Sequence, residues 1–131
     1  MVKDTLSDYI SNIKNAAASQ KELVTLPYSN LLMAVTDLLE KEGYVKNATK
    51  KGKKGVKTVE IKLVYTSANL TRMHGAERIS KPSKRIYVGS TEIPRVKNGF
   101  GTLVVSTSKG VMTDVQARKD GLGGELLFKI W

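Results

Sequence analysis

The chain of 131 residues contains no cysteine. Disulfides, thiolate nucleophiles and cysteine-ligated metals are excluded together, and a reducing cytoplasm suits such a sequence. Histidine occurs once, as His74 beside Arg72 and Met73, and no spaced set of carboxylates accompanies it. A lone histidine does not build a metal site, so neither metal nor cofactor is expected. Aromatic residues make up 6% of the chain against 40% for hydrophobic residues in all, so aliphatic packing has to supply most of the core. No apolar run approaches the roughly 18 residues of a membrane span. The opening Met1-Val2-Lys3-Asp4-Thr5 leads into an amphipathic pattern and not into a secretory signal. A cytoplasmic protein with no membrane partner is the expectation.

Charge is what the chain has in excess. Lys and Arg number 22 against 12 for Asp and Glu, a formal net charge of +10. Divided after residue 66, the first part carries 11 basic and 7 acidic residues and the second 11 and 5, so the excess is not a tail. A polyanionic partner follows from this balance. Basicity alone does not separate RNA from DNA or from an anionic membrane, and a general polyanion binder remains an alternative at this level.

Leu6, Tyr9, Ile10, Ile13 and Ala17 recur at the spacing of one helix face, with Thr5 and Asp8 placed as a capping box. Glu22 to Leu26 reads as a strand closed by Pro27. Ser29 is placed to cap a second helix with Leu31, Leu32, Val35, Leu38 and Leu39 on its apolar face and Gly43 beyond its end. Tyr44 to Thr49 suits a strand, and Val59, Ile61, Leu63 and Tyr65 alternate with polar positions as in a half-buried strand. Between them Lys50-Lys51-Gly52-Lys53-Lys54-Gly55 reads as a mobile hairpin tip, serving solubility or a nonspecific phosphate contact. Polar residues from Thr66 to Asn69 mark a boundary. Beyond it come strand pieces around a turn at Pro82 and Ser83, a short helix from Glu92 to Lys97 with Pro94 in its first turn, a strand Thr102 to Val105, a helix from about Asp114 to Lys119, and a strand Glu125 to Ile130. The expected fold class is α+β: two small subdomains, residues 1–66 and 67–131, packed together, with short helices on small sheets.

The densest signal is Leu103-Val104-Val105-Ser106-Thr107-Ser108-Lys109-Gly110-Val111-Met112-Thr113-Asp114, an apolar strand running into hydroxyls, a lysine and a glycine before a helix that Thr113 or Asp114 can cap. Such a turn offers hydroxyl and amide partners and one cation on a rigid stem. Ser106 and Lys109 also fit the S-x-x-K pattern of serine acyl-transfer enzymes, but the companion S-D-N and K-T-G motifs are absent. Gly121, Gly123 and Gly124 form G-x-G-G ahead of a strand, not the G-x-G-x-x-G that opens a helix in dinucleotide sites. Asp4 with Asp8, and Asp114 with Asp120, are more simply helix caps and solvent groups than acid–base pairs. No catalytic residue is assigned. Arg85 and Tyr87 share a basic strand in which a ring can lie on a base or sugar while the cation meets phosphate. With turns, hydroxyls and one ring in place of a basic recognition helix, the surface suits RNA better than the DNA major groove.

The Ser106–Gly110 string resembles the signature of the small-subunit ribosomal protein S-eight family. Arg118-Lys119-Asp120-Gly121-Leu122-Gly123-Gly124-Glu125 and the Arg85-Ile86-Tyr87 string after Ser80-Lys81-Pro82 are similar to further motifs of that family, and weaker likeness extends back through Val24-Thr25-Leu26-Pro27 to Asp8–Asn15. The resemblance implies two α+β subdomains, binding to the central domain of small-subunit rRNA, a place in small-subunit assembly beside other ribosomal proteins, and for many bacterial members repression of a ribosomal-protein operon through its messenger. It implies RNA contacts at Ser106, Thr107, Ser108, Lys109 and Gly110, flanked by Tyr87, Gly123, Gly124 and Glu125. Hydroxyls and amides then serve sugar and base edges, Lys109 phosphate, Tyr87 stacking and the glycines backbone clearance. Glu125 orients the loop or accepts from a base amino group. Asn12 and Lys14 stand where arginine is common in the family, Asn30 where lysine is, and Ser83 where glycine is. Lys14 and the lysine-rich segment are left to supply charge in the amino-terminal half.

Overall fold

The computed structural model describes residues 5–53, 56–65, 73–81, 83–96 and 101–131. The chain divides into two compact units, Thr5–His74 and Gly75–Trp131. The expected boundary at residues 66–69 lies outside the described residues. The fold is α+β: among the described residues, three α-helices accompany two antiparallel sheets.

In the first unit α1 (Thr5–Ala18) turns Leu6, Tyr9, Ile10, Ile13, Ala16 and Ala17 inward, the stripe its spacing predicts. The residue before Thr5 lies outside the described residues, and so does its capping geometry. Helix α2 (Asn30–Lys41) starts as expected, with the Leu32 N–H donating to Ser29 Oγ at 3.1 Å. Its buried face is narrower than its composition: Leu32, Val35, Thr36 and Leu39 are buried, Leu38 is half-buried and Leu31 is exposed. Thr36 Oγ1 donates to the Leu32 carbonyl at 2.7 Å, so the buried Tyr9 hydroxyl, 2.5 Å away, donates to Thr36.

Strands β1 (Leu23–Pro27), β2 (Val45–Lys53) and β3 (Val56–Leu63) pair antiparallel in the order β1-β3-β2. Val24 opposite Ile61 and Leu26 opposite Val59 face the core. The lysine tract departs from expectation here. Lys50 to Lys53 belong to β2 itself, paired through Lys53 with Val56, and only residues 54–55, outside the described set, remain for the tip. Backbone pairing, registered by the apolar positions of β3, extends through Lys50, Lys51 and Gly52, which are exposed and add nothing to the core. An edge strand tolerates lysine, whose charge discourages further strand addition. A bulge between Lys46 and Thr49 is held by Glu40, whose carboxylate accepts the Ala48 N–H at 2.7 Å.

The second unit is built on β8 (Gly124–Ile130), flanked by β6 (Thr102–Thr107) on one side and by β4 (Ala76–Arg78) and β5 (Tyr87–Val88) on the other. Its core gathers Ile93, Val96, Leu103, Val105, Ala117 and Leu126. The sequence leads from β6 through a turn into a helix, but the structure inserts a strand. Ser108 and Lys109 close a hairpin between β6 and β7 (Gly110–Thr113), and α3 (Asp114–Asp120) begins only after β7. A hydroxyl-rich tetrad before Gly reads equally as a helix entry or a hairpin turn, and cross-strand pairing of Ser106 with Val111 decides it. The expected helix over Glu92–Lys97 is also absent from its described part. A single 3-10 turn occupies Ser90–Glu92, and Ile93 is extended, with φ −70° and ψ 118°. The ring of Pro94 clashes with a helical conformation of the residue before it, which places the break at Ile93.

Candidate nucleic-acid interface

Strand β8 gathers most of the expected site. Glu125 lies directly opposite Tyr87 on one side and Ser106 on the other, and Gly124 lies opposite Val88 and Thr107. Directly opposed residues share a sheet face, so Tyr87, Glu125 and Ser106 form one row across three strands. The neighbouring Leu126 and Val105, also paired, point the other way into the core. A sequence distance of almost 40 residues between Tyr87 and Glu125 is thereby closed to strand spacing.

The hairpin turn is fixed from within. Thr107 Oγ1 donates to the Gly110 carbonyl at 2.8 Å and accepts the Lys109 N–H at 3.1 Å. The hydroxyl proton of Thr107 is thus committed to the turn, whereas Ser108, Lys109 and Gly110 are exposed. Gly110 has φ +113°, a conformation that a side chain strains.

The paired glycines also acquire a definite role. A Cβ on Gly124 would collide with the Ser106 carbonyl oxygen, and one on Gly123 with the Val88 carbonyl oxygen. These glycines allow close backbone approach to the protein's own strands β5 and β6. Arg85 is likewise engaged: its Nη1 lies 3.2 and 3.4 Å from the two Glu125 carboxylate oxygens. The Glu125 side chain is 11% exposed and that of Arg85 57%, so the pair covers the anion while the arginine side chain stays largely open to solvent. Tyr87 is 64% exposed, unusual for a ring held in a sheet.

Two supporting residues escape sequence reasoning. Ser80 is buried, accepts the Ile86 N–H at 2.9 Å and so ties down the loop that delivers Arg85 and Tyr87. Asp114 is buried and is not a solvent group. It accepts from the Leu103 N–H at 3.2 Å and from Arg118 at 2.8 Å, while Arg118 also donates to the Ile93 and Pro94 carbonyls. The i,i+4 spacing of Asp114 and Arg118 was the available signal for that anchor. Thr113 caps α3, accepting the Gln116 N–H. Lys14 belongs to the Thr5–His74 unit, exposed on α1. A cleft in the same unit is lined by Asn12, Asn15, Ser19, Lys21 and Thr25.

Among the described residues no cluster of three or more potential metal ligands occurs, and no helix is long and apolar enough to cross a membrane. The row of Tyr87, Glu125 and Ser106 with the turn at its end offers an exposed ring, hydroxyls and two cations, a set suited to binding and not to bond cleavage.

Residues 4–131 match the family model described as ribosomal protein S8. The chain is 46% identical to a protein of Fervidobacterium nodosum over the full length of both. It is 45% identical to one of Syntrophobacter fumaroxidans over 99% of this chain and 98% of the other, and 42% identical to one of Acetivibrio thermocellus over 98% and 97%. Each of the three is named small ribosomal subunit protein uS8.

Proposed function

The chain belongs to the ribosomal protein S8 family, structural constituents of the small ribosomal subunit and not enzymes, and from that premise we propose that it binds small-subunit rRNA through the carboxyl-terminal ledge. The partner element is an irregular helix of the rRNA central domain, and binding it aids assembly of the cytoplasmic small subunit beside neighbouring ribosomal proteins. Contacts fall to Tyr87, Ser106, Ser108, Lys109 and Gly110, with Arg85 and Glu125 as a coupled pair. The observation that carries this reading is the register that sets Tyr87, Glu125 and Ser106 in one row beside an exposed turn.

RNA chemistry fits that surface. Hydroxyls and backbone amides pair with 2′-hydroxyls and the edges of splayed bases, which a wide, shallow minor groove or an internal loop presents. An exposed ring stacks on a base without needing its identity. A messenger segment folded into the same contour meets the same ledge, which supports repression of a ribosomal-protein operon as a secondary role. The test is competition: a small central-domain rRNA fragment should bind more tightly than an unrelated hairpin of equal length across a salt series. Equal binding throughout would leave only general polyanion attraction and reject the reading.

A further inference from the structure

One strong concentration of charge is not used by the ledge. Residues 45–63 hold seven lysines and one glutamate, a net +6 of the chain's +10. The rest of the Thr5–His74 unit holds four basic residues, Lys14, Lys21, Lys41 and Arg72, against five acidic ones. Positive potential in this unit therefore comes from a single hairpin.

The strands give those cations a frame. Lys50 lies opposite Val59 and Lys57 opposite Gly52, which makes the two lysines diagonal neighbours on one face, roughly 7–8 Å apart in such a ladder. Lys50 sits over the Tyr28 ring, 4.4 Å from its centroid, so its ammonium is steadied without being neutralised. Lys46 stands directly opposite Lys62. Like charges so placed weaken a sheet, and among the described residues neither has an ion-pair partner. Glu60, the only acid of the hairpin, is taken by Lys51 at 3.1 Å. Edge protection explains lysines on β2, an outer strand. It does not explain Lys57 and Lys62, which lie on the central strand β3.

We propose that the β2–β3 hairpin is a second RNA contact, an arm that holds phosphodiester oxygens without reading sequence, at phosphates other than those met by the ledge. The identity of the polyanion as RNA rests on the preceding reading. The chemistry of the arm favours it independently over other anions. Every cation of the hairpin is lysine, a compact point charge that suits phosphate and lacks the planar fork used for base recognition. The exposed described residues of β2 are Lys46, Asn47, Thr49, Lys50, Lys51 and Gly52, with no large apolar side chain to enter a bilayer. No arginine or free aromatic anchor is present for a protein interface.

The test uses the whole chain with Lys46→Gln, Lys50→Gln and Lys57→Gln combined, all at exposed positions. Binding to a central-domain rRNA fragment and to an unrelated RNA hairpin is measured from low to high salt. The plot of log affinity against log salt should become shallower by roughly 2 to 3 for both RNAs, since each lost phosphate contact removes about 0.7–0.9 from the slope. The preference for the fragment at fixed salt should remain, and the thermal melt should not fall, since Lys46→Gln relieves the repulsion from Lys62. An unchanged slope overturns the proposal. So does a variant that self-associates while its slope is unchanged, which would assign the lysines to edge protection. Loss of binding to phosphatidylglycerol vesicles with an unaltered RNA slope overturns it in favour of a membrane surface. Should the unmodified chain not prefer the fragment, the ledge reading fails, and the slope difference still decides the arm.

Discussion

Tyr87 is 64% exposed on a strand whose partner residue Glu125 is buried. Its ring gives little to the core, so its removal should cost binding and not folding. Tyr87→Ala is expected to weaken binding to the rRNA fragment by about 1–3 kcal/mol, the worth of one stacked base, and a calorimetric melt should move little. A fall in melting temperature matching the affinity loss would assign the ring to packing instead. Gly124 presents the opposite case. Its missing side chain admits the Ser106 carbonyl of the adjoining strand, so Gly124→Ala forces β6 and β8 apart. Overpacking of this kind costs about 1–3 kcal/mol, and chemical denaturation should register it. Gly110 is different again: its surroundings are open, and only its φ of +113° resists a side chain.

At the scale of the element, periodicity made the long pieces legible. Helix α1 follows its apolar spacing from Leu6 to Ala17, and α2 follows Ser29 and its leucines, because each buries one stripe that local sequence already displays. The short pieces of the second unit were less legible for a physical reason. Whether Ser108-Lys109 turns a strand back or opens a helix is decided by partners elsewhere, Ser106 on Val111 and Val105 on Leu126, and no local pattern records that pairing. Thr107 closes its own turn, whereas Gly123 and Gly124 make room for strands distant in sequence, at Val88 and Ser106. The α1–α2 contact carries a pH prediction. Burial pushes the Tyr9 hydroxyl well above the usual tyrosine range, while the unfolded chain titrates near 10. The folded pKa is therefore the higher one, and the stability it contributes is present below pH ~10 and declines as pH rises beyond it. Tyr9→Phe should lose about 0.5–1.5 kcal/mol at neutral pH with its hydrogen bond to Thr36. Its urea midpoint should then fall less steeply above pH 10 than that of the unmodified chain.

Across the whole molecule, the proposed attraction and recognition fall to different stretches of the sequence. Net charge alone announced a polyanion, and the lysine tract was visible as charge. The strand pairing of Lys50 to Lys53 was not visible, because lysines joined by glycine give no periodic signal and take their strand from the apolar positions of β3. The ledge holds Glu125 against Arg85, which screens one of its two cations. The hydroxyl of Thr107, bonded on both sides of the turn, bears on kinetics. A loop held from within has little ordering left to slow encounter. In stopped-flow mixing, the observed rate should rise linearly with RNA concentration and show no plateau. Thr107→Val, which keeps the bulk and breaks both bonds, should introduce curvature as the tip acquires shapes it must abandon before docking.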